Sequence, residues 1–247
     1  MTMKHIFAVQ EQAELLAYQA FLTKHQAKLT QYLAFLKETY AVTELPRAVV
    51  WADMETATHL ISDLPIPAYT NEYRTVFCPE VETWKRIYLR QLDSLNSGEI
   101  REYYETELCE HHILQILGHE FVHHSDWFLD DFEEERNCGI WFEEGMCEYI
   151  SRKYFLTDSE FDRESRINSL LVEQFTDRYG THSLEDFGAA AYQGDYASIF
   201  FEYWRSFLAV QRIVDRCGGD IPAVFRSYHD WHRKGRKEPL TKWFSEN

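Results

Sequence analysis

The sequence predicts an α+β protein that is mostly helical, a small mixed α/β N-terminal lobe joined to a helical C-terminal lobe. Three observations carry this. Residues 9–40 hold no glycine or proline, and Leu15, Phe21, Leu29, Tyr32, Leu33 and Leu36 recur at roughly helical spacing. Two short runs rich in β-branched and aromatic residues, Arg47–Ala52 (RAVVWA) and Tyr73–Cys78 (YRTVFC), read as strands. Beyond residue 128 the long segments read as helices.

Residues 9–40 form a packing helix, or two. Pro46 opens the first strand-like run, and the proline-containing stretch from Ser62 (SDLPIPAYTN) is turn-prone. Pro79 suits the first turn of a helix continuing to about Leu95, which Asn96-Ser97-Gly98 breaks. Residues 99–127 are helical again, with room for one break. Residues 128–140 form an acidic loop, and another helix starts near Trp141 and reaches about Phe155. Further helices are expected over 158–180, 185–217 and 220–231, with Gly218-Gly219 ending the middle one. The expected organisation is one domain, 1–247. Within it lie an N-terminal helical segment 1–44, an α/β lobe 45–127 and a helical lobe 128–247.

The 99–127 segment contains His119-Glu120-Phe121-Val122-His123, an H-E-x-x-H motif. Residues i and i+4 lie one turn apart on the same helix face, so both imidazoles can point at one ion. Glu120 then sits beside a metal-bound water rather than between the ligands. A tetrahedral catalytic zinc needs a third protein ligand and an open fourth position for water. The segment Trp141-Phe142-Glu143-Glu144-Gly145-Met146-Cys147-Glu148-Tyr149 supplies candidates, with twenty residues between His123 and Glu144.

At these residues the chain resembles the gluzincin metallopeptidases. There H-E-x-x-H is followed at a similar distance by a glutamate ligand on a second helix, often within W-x-x-E-G-x-x-E-Y. The resemblance implies a zincin-like (thermolysin-like) catalytic domain with one Zn2+ held by His119, His123 and Glu144, and Glu120 as general base. Glu148, one turn beyond Glu144, is assigned as the carboxylate that orients a ligand histidine, His119. The family also uses a tyrosine or histidine to stabilise the developing oxyanion. The segment Ala191–Tyr196 resembles its tyrosine-bearing stretch, with the glycine one place early; this favours Tyr192, then Tyr196, then His229. In the family a sheet lies beside the active-site helix and its edge strand pairs with extended substrate; Tyr73–Cys78 takes that place by position. No G-x-M-E-N-like element, the aminopeptidase grip on a free amine, precedes the motif. The resemblance covers 119–149 firmly and 192–201 loosely.

The expected activity is hydrolysis of peptide bonds in a peptide or protein substrate. Two alternatives stand beside it, a binding or regulatory protein with little turnover and a zinc hydrolase of a non-peptide bond. The intact Glu120 argues against the first. Nothing separates the second, because the zinc chemistry is the same for either carbonyl. Signatures of phosphate-binding loops, dinucleotide folds and serine-hydrolase elbows do not occur.

His124 is out of phase with the pair and is expected to pack or hydrogen-bond elsewhere; His111 and His112 are read as structural. A formal charge of −16 argues against nucleic acid or an anionic membrane as partner. The basic run His232–Lys237 and the acidic loop Asp130–Glu135 are read as solvated surface. No apolar run approaches the ~18 residues that span a bilayer. Five cysteines without a C-x-x-C pair read as reduced thiols, with Cys138 and Cys147 at no zinc-binding spacing. A cytoplasmic protein is expected.

Overall fold

The computed structural model describes residues 3–92, 97–130, 132, 138–188 and 194–246. Contacts within the chain gather into two compact units. The first is Met1–Phe128 with Ile150–Thr157, and the second is Leu129–Tyr149 with Asp158–Asn247. Together they hold many helices and one small mixed sheet, an α+β protein.

The first unit is built on strands β1 (Lys4–Ala8), β2 (Ala48–Ala52), β3 (Ala68–Thr70) and β4 (Arg74–Phe77), in the order β1-β2-β4-β3. β1, β2 and β4 run parallel, and β3 is antiparallel to β4. Parallel neighbours need a long crossover. Helix α1 (Gln12–Tyr40) provides it between β1 and β2. β2 reads AVVWA and is buried at every position, as a central strand covered on both faces should be. On one face Val50 and Val76 cluster with Ala57 and Tyr69. On the other, the Trp51 ring lies 5.5 Å from Phe77 and 6.1 Å from Phe21 of α1.

Two sequence expectations change here. Tyr73–Cys78 corresponds to β4, which is an interior strand; the edges are β1 and β3. The reason is a tight turn at Asn71, whose Oδ1 accepts from the Tyr73 and Arg74 amides at 2.9 Å. That turn folds Ala68–Thr70 back against β4 with Thr70 opposite Thr75. β1 was likewise not anticipated. A single π-helical turn, Thr56–Leu60, lies between β2 and β3.

Helix α2 (Val81–Arg90) follows Pro79, stopping short of the expected Leu95, which lies outside the described residues. The expected helix over 99–127 is two. α3 (Gly98–Thr106) ends, and α4 (Glu110–Val122) restarts after Cys109. Cys109 is the N-cap, and its amide donates to His112 Nδ1 at 3.2 Å. His112 is buried.

Helix α5 (Ile140–Phe155) has residues 140–149 in the second unit and 150–155 in the first. The second unit continues with α6 (Asp158–Tyr179), a short turn at Leu184–Asp186, α7 (Tyr196–Arg216), α8 (Ile221–Arg233) and α9 (Leu240–Glu246). The expected helix over 185–217 begins only at Tyr196, because Asp195 caps it: its Oδ1 accepts from the Ser198 amide at 2.9 Å. Gly218 and Gly219 adopt φ of +65° and +84° and end α7 as anticipated. Aromatic rings fill the core, with Phe142 4.5 Å from Tyr228 and 5.3 Å from Phe244 of the unanticipated α9. All five cysteines are free. Among the described residues no helix is long and apolar enough to cross a membrane.

Candidate metal centre

α4 is held along its length. At its start, Glu110 receives Lys24 Nζ at 2.6 Å and His25 Nε2 at 2.9 Å, both from α1. The Lys24 hydrogen bond is the main reason the Glu110 carboxyl is held below its ordinary value. One turn before the motif, Gln115 Nε2 donates to Ser151 Oγ at 3.2 Å. Immediately before it, Tyr32 Oη donates to the Gly118 carbonyl at 3.1 Å. Gly118 has to be glycine for this packing: a Cβ there would lie 2.5 Å from Phe155 Cε2 and 3.0 Å from Tyr32 Cε1.

The motif occupies the last turn. α4 ends at Val122, short of the expected residue 127, and His123 is its C-cap, still in right-handed helical geometry (φ −54°, ψ −21°). The i, i+4 relation therefore holds. His119 Nε2 and His123 Nε2 are 3.1 Å apart, with ring centroids at 4.9 Å. Two nitrogens each about 2.0–2.1 Å from a shared tetrahedral zinc would stand about 3.3–3.4 Å apart. The pair fits such an ion with a shift of a few tenths of an ångström. His119 is 5% exposed and Glu120 6%, so both lie in a largely dehydrated setting.

After the motif the chain is stapled to the end of α1. Ser125 Oγ donates to the Tyr40 carbonyl at 2.5 Å, and Thr43 Oγ1 to Asp126 Oδ2 at 2.8 Å. His124 points to the sheet, its Nε2 2.9 Å from Thr70 Oγ1 on β3. Burial, with the neighbouring His123 adding to it, pushes the His124 pKa down to about 4, so the ring is neutral at physiological pH. Sequence reasoning left the partner of His124 open and did not identify Thr70, because a three-residue strand has no periodicity to detect.

Among the second unit's residues, Glu143 and Glu144 are buried on α5 and Glu148 is half-buried. Gly145 lets α5 meet α7: a Cβ there would lie 2.5 Å from the Ser206 carbonyl oxygen. Trp141 Nε1 donates to Glu185 Oε1 at 3.2 Å, which fixes the start of the helix. Cys147 is buried. Of the oxyanion candidates, Tyr192 lies outside the described residues. Tyr196 is half-buried and stacked 6.4 Å from Phe200. His229, also half-buried, is 5.9 Å from Tyr228 on α8. The structure thus brings His119 and His123 together, with Glu120 on the same turn. No family model matches the chain, nor does any curated protein or solved structure.

Proposed function

We propose that this chain is a gluzincin-type, zinc-dependent metallopeptidase with a zincin-like fold. In this reading His119, His123 and Glu144 hold one zinc ion and Glu120 acts as general base. The observation that carries the reading is the imidazole pair, 3.1 Å apart between Nε2 atoms on a helix turn that also bears a buried glutamate. Glu144, Glu148 and Ser151 recur at i, i+4 and i+7 on α5, one helix face. Glu144 and Glu148 enter the reading through the resemblance of residues 141–149 to the gluzincin third-ligand segment. The mixed sheet with an antiparallel edge strand packed against α4 suits an extended substrate.

A zinc ion supplies Lewis acidity, polarising a carbonyl and bringing the ionisation of water to about pH 7. The protein does the rest. The Glu120 carboxylate would take the proton of the attacking water and deliver it to the leaving nitrogen. Glu148 orients a ligand imidazole, and Tyr192, Tyr196 or His229 donates to the oxyanion.

Metal analysis and a peptide-library digest test this. The purified protein should hold about one zinc per chain. Zinc is lost in His119→Ala and in Glu144→Ala; retention in both sinks the ligand assignment. Glu120→Gln keeps zinc and loses cleavage by about a hundred-fold or more. Equal cleavage by both proteins rules out Glu120 as the base. A zinc-loaded wild type that cleaves nothing argues for a binding protein.

A further inference from the structure

His124 belongs to neither the ligand set nor the general base, yet it is bonded to the sheet directly beside His123. Its Nε2 lies 2.9 Å from Thr70 Oγ1, and the same oxygen lies 2.9 Å from Thr75 Oγ1 on β4. Thr70 and Thr75 are opposite one another in the β3–β4 pair. β3 is the last strand of the sheet, so among the described residues its outer edge is unpaired. Tyr69, on the opposite face of β3, is anchored by its hydroxyl to the Ala57 carbonyl at 3.0 Å. The strand is therefore fixed from both faces, and the bond on the α4 side comes from the residue next to His123.

Extended chains add to a strand edge in steps of two residues, and a one-residue slip turns every side chain to the other face. A peptide lying along β3 presents a chosen bond to the imidazole pair only if the edge is held at a set distance from it. One peptide unit separates His123 from His124, so the Thr70 bond gives that distance the shortest covalent path available. We infer that His124 is a positioning residue: through Thr70 it sets the register in which an extended peptide on the edge of β3 meets the His119–His123 pair. The inference rests on the zinc-peptidase reading.

Calorimetric binding of two hydroxamates to the zinc-loaded full chain separates the possibilities. Acetohydroxamate reaches only the metal, whereas trialanine hydroxamate also has backbone to lay along β3. Wild type binds the second more tightly. Thr70→Val keeps shape and β-branching but removes the hydroxyl. It weakens trialanine hydroxamate by about ten-fold or more and acetohydroxamate by less than about two-fold, with zinc content unchanged. Thr70→Ser restores the difference. Equal weakening of both ligands, no weakening of either, or a wild type that binds both equally overturns the inference. A wild type that takes up no zinc and binds neither hydroxamate defeats the zinc reading, and the inference falls with it.

Discussion

Glu110 is the first residue of the helix that ends in the histidine pair, and it is tied to α1 by Lys24 and His25. Its folded-state pKa lies below the ordinary 4.5, with the Lys24 hydrogen bond as the first cause. A carboxyl depressed on folding stabilises the protein above its unfolded value, and that stability is lost as pH falls through the folded value. Stability should therefore decline below about pH 4.5 more steeply in wild type than in Glu110→Gln, read from urea midpoints between about pH 3 and 6. Lys24 is exposed, so the difference is small. Parallel curves for the two proteins would show that the tie adds no acid sensitivity. Gly118 and Tyr32 act at the same scale. The missing Cβ and the buried hydroxyl together set how closely α1 approaches the turn that carries His119.

At the scale of elements, α5 and α7 meet at Gly145. Alanine is the better helix former by about 1 kcal/mol. Here its Cβ would lie 2.5 Å from a Ser206 backbone oxygen and 2.6 Å from Val210 Cγ2. Backbone cannot rotate away as a side-chain tip can, so overpacking should prevail. Gly145→Ala is expected to lose about 1–3 kcal/mol in chemical denaturation. A gain in stability would mean that the two helices separate freely. Within the W-x-x-E-G-x-x-E-Y segment, the glycine thus has a packing reason independent of chemistry.

The elements also show what was legible in advance. α1, β2, β4 and α5 announced themselves because long helical periodicity and runs such as AVVWA are local signals. The histidine pair was legible for the same reason, since i and i+4 are neighbours on any helix. β1, β3 and α9 were not. KHIFA of β1 and AYT of β3 lack a run of β-branched residues such as AVVWA, α9 is only seven residues long, and the pairing that makes β1 and β3 strands is tertiary. The place of β4 in the sheet depended on the Asn71 turn, a feature of three residues. The helical break at Cys109 rested on a cap in which cysteine and histidine stand where serine and glutamate are usual.

Across the whole molecule, the first unit is not contiguous. It takes in Ile150–Thr157 after an excursion through the second. Those residues supply Ser151 to Gln115 and Phe155 to the Gly118 surface. A fragment ending at Phe128 lacks both partners. It should show the far-ultraviolet signal of helices but little near-ultraviolet signal from fixed aromatic rings, the mark of lost packing. A native near-ultraviolet spectrum from that fragment would show that the returning segment is dispensable.

β1 and its partner β2 are separated along the chain by all of α1, with Lys4 paired to Ala48. Until the two meet, the newborn chain presents AVVWA with one flank bare. A flat, uncharged, β-branched flank is what neighbouring nascent chains would join. Once seated, β1 turns outward a border bearing Lys4, a charge that resists such joining. β1 therefore shields one flank of β2 and closes that side of the sheet with a charged border.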